Sequence, residues 1–279
     1  MTIYPVNCKS TPLFSIIIPT YNSGKTIVEC LNSIASQTLQ DFEVIVQDCL
    51  SSDNTLLNIS IFSSNHHSLS LRVFEEADLG VYDAMNKALV RARGMWIYFL
   101  GSDDKFFEPT TLESVSKSID DNVDVIYGDV CSPYFGGRYD GSFSPYMLYK
   151  KNICHQSIFF RSFIFEKHGH FNLSFKVAAD WEHNLRWYLD HTINALYIDQ
   201  VIASFADGGL SSTTADPYFD SQKPFLYVYH GRKVLSLRTK VGLLLNKLFT
   251  SLKRRDMRDI LTAFKLSVYL LVPSTRLVR

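Results

Sequence analysis

The sequence is short of the features that mark most specialised protein classes. Its five cysteines (Cys8, Cys30, Cys49, Cys131 and Cys154) are odd in number, widely spread and contain no CxxC pair. That excludes a disulfide framework and a thiolate zinc site, and suits small side chains in a reducing compartment. No stretch reaches the roughly 18 uninterrupted apolar residues of a membrane-spanning helix. Residues 1–11 carry no apolar core of the signal-peptide kind, so a cytoplasmic location is expected. There is no charge excess either: 28 Lys+Arg face 28 Asp+Glu. The zero net charge argues against a dedicated nucleic-acid binder, and no nucleic-acid partner is expected, although the last fifty residues are strongly basic. No internal repeat or low-complexity tract is visible. What remains, 279 residues with 46% hydrophobic and 20% charged side chains, suffices for one sizeable core plus a small appendage.

Apolar periodicity then assigns the elements. Phe14 to Pro19 and Phe42 to Val46 are short runs rich in β-branched residues, as in strands buried on both faces. Met95 to Leu100 is the most apolar run, and Leu71 to Phe74 and Val123 to Tyr127 are further strands. Between them, Lys25 to Gln37 and Gly80 to Arg93 space their apolar residues as helices do, with Gly94 placed to end the second. Ser51 to Thr55 reads as a loop capping another helix. Strand and helix alternating at these intervals predict an α/β fold: a mostly parallel sheet with helices on both faces. Ligands of such sheets bind beyond the carboxyl ends of the strands. Pro19 to Asn22, Asp48, Asp78 and Asp103-Asp104 all fall at or near such ends. After Gly128 the pattern loosens, and helical spacing returns at Ala179 to Leu189 before a strand at Ala195 to Ala203.

Ser102-Asp103-Asp104 carries the most chemistry. Adjacent carboxylates behind a buried strand are costly unless solvated, paired or bound to a cation. Mg²⁺ or Mn²⁺ takes one or two carboxylates together with substrate phosphates, so Asp104 is a candidate ligand for either ion. A turn in which Asp104 caps a short helix is the competing reading. Asp48 and Asp180 are open to the same alternative, and His155 to that of a satisfied core or surface histidine.

Four ordered blocks, FSIIIPTYN, VIVQD with SSDNT, DLGVYDAMNKAL and ARGMWIYFLGSDD, resemble the inverting glycosyltransferases of family 2, which have the GT-A fold. HQSIFF, ADWEHNLRW and GGLSS extend the resemblance to about residue 212. The resemblance implies that Pro19, Thr20 and Tyr21 line the base and that Asp48 hydrogen-bonds its edge. It implies that Asp78, Asp83 and Lys87 lie near base, ribose or donor sugar. It further implies that Asp103 contacts ribose or sugar, that Asp104 binds the metal and that Asp180 is the catalytic base. His155, Gln156, Trp181 and Glu182 would border the donor sugar or acceptor. Gly208-Gly209 would belong to a loop closing over the diphosphate. Where the family often has Asp-Asp-Gly-Ser, this chain has Gln47-Asp48-Cys49-Leu50, so only one of the two aspartates is present and the base-binding role rests on Asp48 alone.

The reading that follows is transfer of a hexose or N-acetylhexosamine from a nucleotide diphosphate donor, UDP-linked by resemblance, to a hydroxyl. The acceptor would be a glycan or a polyprenyl-diphosphate-linked oligosaccharide in surface polysaccharide (O-antigen, capsule or exopolysaccharide) assembly. A catalytic domain is expected over residues 1–222, its nucleotide half about 14–128 and its acceptor half about 129–222. Residues 223–279 mix apolar runs with Lys and Arg, which suits an amphipathic helix on the anionic inner face of a membrane, or a helical appendage with a solvated basic face. A nucleotidyltransferase would need a glycine-rich basic loop after the first strand, where this chain has only PTYNSGK. A non-enzymatic sugar-nucleotide or glycan-binding module would need no base.

Overall fold

The computed structural model describes residues 11–139, 141–206, 214–254 and 261. The first half runs β1 (Phe14–Thr20), α1 (Ile27–Ala35), β2 (Phe42–Asp48), α2 (Thr55–Asn65), β3 (Leu71–Glu75), α3 (Val81–Leu89) and β4 (Trp96–Phe99). It continues with β5 (Lys105–Phe106), α4 (Thr111–Lys117), β6 (Val125–Ser132), β7 (Gly137–Tyr139), α5 (Pro145–Lys150), β8 (Ile158–Arg161) and α6 (Phe163–His168). Then follow α7 (Ala179–Tyr188), β9 (Ala195–Ser204), α8 (Pro217–His230) and α9 (Leu237–Arg254).

Nine strands form one sheet among the described residues, in the order β3-β2-β1-β4-β8-β6-β9-β5, with β7 paired to β6. The four strands β3-β2-β1-β4 are parallel, as the βαβ spacing requires. Beyond β4 the sheet is mixed. β8 runs antiparallel to both β4 and β6, β5 is antiparallel to β9, and β6 and β9 are parallel. The expectation of a mostly parallel sheet thus describes the first half. The second half departs from it because β8 reaches the sheet through α5 and a single 3₁₀ turn, not through a crossover helix.

Side-chain alternation along the strands divides the core in two. Ile16, Ile18, Val44, Val46, Trp96 and Tyr98 face α1, α2 and α4, whose Ile34, Phe62 and Val115 close that layer. Ile17, Ile45, Ile97 and Phe99 point the other way, onto Met85, Phe165, Leu185 and Trp187 of α3, α6 and α7. The wholly buried runs of β1 and β2 are therefore apolar on both faces, which is why they read as continuous rather than alternating. Gly94 does not end α3, which stops at Leu89. It is needed where the chain enters β4, because a Cβ there would lie 2.4 Å from the Ser15 amide nitrogen and 2.6 Å from the Phe14 carbonyl carbon. Helix α8 runs through residues 222 and 223, the expected domain boundary, and its Phe219 and Tyr227 belong to the core beneath α7.

Leu50, in the turn that follows β2, is left-handed with φ +51°, and the residue is 56% exposed. A branched residue there is strained and buries little in return. Leu50→Gly is expected to raise the urea midpoint by an amount worth about 0.5–1 kcal/mol; an unchanged or lower midpoint would contradict the strain.

Two histidines sit in the layer under α7. His183 is fully buried among Phe160, Phe165 and Phe171, and burial first, then Arg186, holds it well below its usual pKa. His230, at the end of α8, is pushed down to about 4 by burial and by the Arg186 charge. A depressed histidine stabilises the fold above its ordinary pKa near 6.5 and loses that contribution as the pH falls towards 4. Urea unfolding of His230→Gln should accordingly lose less stability than the parent between pH 6.5 and 4, by something on the order of 2 kcal/mol. Parallel pH profiles would show that His230 charges freely in the fold.

Candidate active site

The carboxyl edge of the parallel strands gathers most of the predicted residues. Parallel pairing sets Thr20 opposite Asp48 at the ends of β1 and β2. The Asp48 carboxylate has no solvent exposure; it accepts from Thr20 Oγ1 (2.8 Å), the Ser51 amide (2.7 Å) and Ser51 Oγ (2.6 Å). It therefore braces the turn that follows β2. Tyr21, beside it, is 66% exposed and free to present a ring face. Asp78, Asp83 and Lys87 organise the loop leading into α3. Asp78 accepts from the Gly80 amide, Asp83 accepts from the Leu79 amide and pairs with Lys87 at 3.3 Å, and Lys87 donates to the Ala77 carbonyl.

Asp103 and Asp104 part company immediately after β4. Asp103 is exposed, whereas Asp104 is 2% exposed. The Asp104 carboxylate accepts from Gln156 Nε2 at 2.8 Å and from the Ala206 amide at 2.9 Å. Burial, and after it the Asp103 charge, push it up to about 6. Gly101 leaves room for both side chains: a Cβ there would lie 2.4 Å from Asp104 Oδ2 and 2.9 Å from Asp103 Oδ1.

Asp180 lies in the first turn of α7 and is 9% exposed. Its Oδ1 accepts from the Trp181 amide (2.8 Å) and Tyr82 Oη (2.9 Å), and its Oδ2 from Asn152 Nδ2 (2.9 Å). His155 Nδ1 stands 3.5 Å from Oδ2. Behind Asn152 the chain of donors continues inward, from Trp187 Nε1 to Asn184 Oδ1 and from Asn184 Nδ2 to Asn152 Oδ1, each at 2.9 Å. Tyr82 and Asn152, two of the donors to Asp180, are marked by no pattern in the sequence. Tyr82 lies inside the DLGVYDAMNKAL block without being singled out by it, and Asn152 sits in the irregular stretch that carries no periodic signal.

Two cavities meet between these carboxylates. The smaller, about 140 Å³, is lined by Pro19, Tyr82, Met85, Asp103, Asp104 and His155 among others. The larger, about 400 Å³, is lined by Asp180, Trp181, Lys150, Asn152, Tyr139 and Phe219 among others. His155, Gln156, Val177 and Phe205 line both. The 3₁₀ turn His155–Ser157 thus separates the Asp104 side from the Asp180 side. Asp48, Asp78, Asp83 and Lys87 line neither cavity, and nor does Glu182. That side chain is 4% exposed and is bound by Arg186 at 2.5 Å, on another side of α7. Residues 208–212, expected to close over a diphosphate, lie outside the described residues.

Among the described residues no group of three or more His, Cys, Asp or Glu is placed to hold a metal ion by itself. A cation that completes its shell with substrate phosphates needs only one or two carboxylates, and Asp103 with Asp104 meets that requirement. Burial raises Asp104 first and the Asp103 charge adds to it; a divalent charge would offset both by favouring the ionised carboxylate.

The family model described as "Glycosyl transferase family 2" matches residues 15–181. A PGL/p-HBAD biosynthesis glycosyltransferase of Mycobacterium tuberculosis is 41% identical over 219 residues, 77% of this chain and 85% of the relative. The Escherichia coli UDP-Glc:alpha-D-GlcNAc-diphosphoundecaprenol beta-1,3-glucosyltransferase WfgD is 34% identical over 117 residues, 42% of this chain and 45% of WfgD. Staphylococcus aureus TarS 1–349 in complex with UDP-GlcNAc superposes with a TM-score of 0.63 and 25% identity, covering 85% of this chain and 72% of TarS. The GT-A sheet, the carboxylates on its edge and the span of the family match agree: this chain belongs to glycosyltransferase family 2 and is a glycosyltransferase.

Proposed function

We propose that the chain transfers a hexose or N-acetylhexosamine from a UDP-sugar to an acceptor hydroxyl with inversion at the anomeric carbon. The observation that carries this reading is the meeting of the Asp104 and Asp180 cavities across His155 and Gln156. The donor sugar would sit at the junction, the diphosphate towards Asp103 and Asp104, and the acceptor in the larger cavity. TarS, which has been solved with UDP-GlcNAc, supports a uridine donor. Tyr21 would offer its exposed ring to the base; with Asp48 saturated by Thr20 and Ser51, that carboxylate would shape the base site by holding its turn.

Asp104, assisted by Asp103, would hold Mn²⁺ or Mg²⁺, which when bound neutralises charge on the leaving diphosphate. Asp180 would take the acceptor hydroxyl proton as that oxygen bonds to the anomeric carbon and the bond to phosphate breaks on the opposite face. The carboxylate is held for this by Tyr82, Asn152 and the Trp181 amide. The Tyr82 hydroxyl has one proton and two acceptors, Asp180 Oδ1 at 2.9 Å and the Val177 carbonyl at 2.8 Å. When Asp180 gains a proton, Tyr82 keeps its bond to Val177 and can accept from the new O–H, so the site stays satisfied in both states.

The C-terminal helix supports a peripheral membrane position on the cytoplasmic face. No helix of the described residues is long and apolar enough to cross a membrane. Along α9, however, Leu237, Val241, Leu245, Phe249 and Leu252 are exposed at three- and four-residue spacing, while Leu244 packs on Phe225 and Val228 of α8. Arg238, Lys240 and Lys247 accompany that stripe.

Thermal unfolding with UDP-, GDP- and dTDP-sugars, each with and without Mn²⁺, tests the donor: a UDP-sugar with Mn²⁺ should raise the midpoint most. Asp104→Ala should abolish the Mn²⁺-dependent part, and Asp180→Asn should lower kcat at least a hundredfold while leaving that shift intact. Asn152→Ala should lower kcat less, about tenfold. Full transferase activity in Asp180→Asn would remove the base assignment. For the membrane, co-sedimentation with vesicles containing anionic lipid should exceed that with neutral vesicles and fall when Leu245 and Phe249 are both replaced by Ser. Equal recovery in all cases would discard the membrane position.

A further inference from the structure

The larger cavity has two chemically distinct parts. Its inner end is the Asp180 carboxylate with Asn152 and His155. Its outer end is lined by Trp181, Phe219, Lys150 and Asp220, and Lys223 and Tyr149 pack against that lining. Lys150 Nζ lies 5.9 Å and Lys223 Nζ 5.6 Å from the centre of the same Tyr149 ring. Lys223 Nζ also stands 4.2 Å over Trp181, whose indole edge is pinned by donation to the Leu148 carbonyl at 2.7 Å. The two ammonium groups come from different elements, the end of α5 and the second turn of α8, and the aromatic wall between them fixes where they stand.

Neither ammonium is in an ion pair with a carboxylate among the described residues. Two carboxylates near Lys223 in the chain line the same cavity, and only the first is already engaged. Asp216 caps α8 through the Phe219 amide at 3.0 Å and also accepts from the Val177 and Ala178 amides. Asp220, one turn before Lys223, draws the Lys223 ammonium upward, but burial outweighs it and Lys150 opposes it, so Lys223 is held below its usual range. Two like charges sharing one ring, one of them half-buried, are a costly arrangement that an entering anion would convert into a favourable one.

We propose that Lys150 and Lys223 form a phosphate subsite at the outer end of the acceptor cleft, so that the acceptor is a phosphate-bearing molecule whose sugar or polyol lies on Trp181 with its hydroxyl towards Asp180. This rests on the transferase reading for the position of the hydroxyl. The phosphate subsite itself does not depend on the donor. The same chemistry is offered by a prenyl diphosphate and by a polyol phosphate, and the two sources differ in what they place against the aromatic wall.

Trp96 and Trp187 are fully buried, so a ligand-dependent change in tryptophan fluorescence arises mainly at the partly exposed Trp181. Titration with farnesyl diphosphate and, separately, with glycerol 3-phosphate should change that fluorescence saturably, and saturating UDP should not displace the probe that binds. Lys150→Gln and Lys223→Gln should each weaken it at least tenfold, whereas Lys150→Arg and Lys223→Arg should retain it within about threefold. The glutamine variants should show the same thermal shift with a UDP-sugar as the parent, which separates loss of this subsite from loss of the donor site. Tighter binding of farnesyl diphosphate points to a lipid-linked acceptor, and tighter binding of glycerol 3-phosphate to a phosphate polymer. If both probes bind the glutamine variants as they bind the parent, if UDP displaces them, or if neither binds, the subsite is wrong. A protein that binds a probe through the lysines yet responds to no UDP-sugar would retain the subsite and refute the donor assignment instead.

Discussion

The hydrogen bond from Gln156 to Asp104 ties the two halves of the molecule together. A carboxylate that is 2% exposed and sits beside a second carboxylate must be satisfied or it will not stay ionised. Gln156 supplies one donor and the Ala206 amide the other, while the Gln156 carbonyl accepts from Tyr98 in β4. Hydrogen bonds to a charged group are worth about 1.5–3 kcal/mol each, so this small network holds its parts firmly. It fixes the 3₁₀ turn against the end of β4 and thereby places His155 between the two cavities. It also fixes where β8 enters the sheet, since β8 begins directly after the turn.

The Asp180 side depends on a different constraint. Its carboxylate is reached from α3 by Tyr82, from the segment before β8 by Asn152, and from α7 by its own neighbour's amide. Three separate elements must pack correctly before that oxygen pair is oriented. The Trp187–Asn184–Asn152 chain carries the requirement into the aromatic core, so side-chain packing and the orientation of this carboxylate are one problem. The outer cleft follows the same logic, because the aromatic residues that close the core there also seat Lys150 and Lys223.

Glu182 shows how proximity in sequence misleads. Two residues after Asp180, it suggests a shared site, but a helix turns about 100° per residue, so the two carboxylates face different surroundings. Glu182 is held by Arg186 one turn later, and burial raises its pKa where the arginine lowers it. Asp48 is a different case. Its place at the end of β2 was legible, but its saturation by Thr20 and Ser51 was not, because two of those three bonds come from a turn whose path is decided by Leu50 in a left-handed conformation.

The sequence by itself determined the parallel half of the sheet, its two-faced core and the gathering of carboxylates at the strand ends. These follow from local periodicity and from the rule that βαβ units wind one way, and both are written within short windows. It also carried the family resemblance, since the blocks lie along one continuous stretch. Only the tertiary structure decided that Asp104 is buried while Asp103 is exposed, that Tyr82 and Asn152 hold Asp180, and that Glu182 does not face the cavities. Those outcomes depend on contacts between residues up to about a hundred positions apart, such as Asp104 with Ala206 and Tyr82 with Asp180, whose pairing no local pattern encodes.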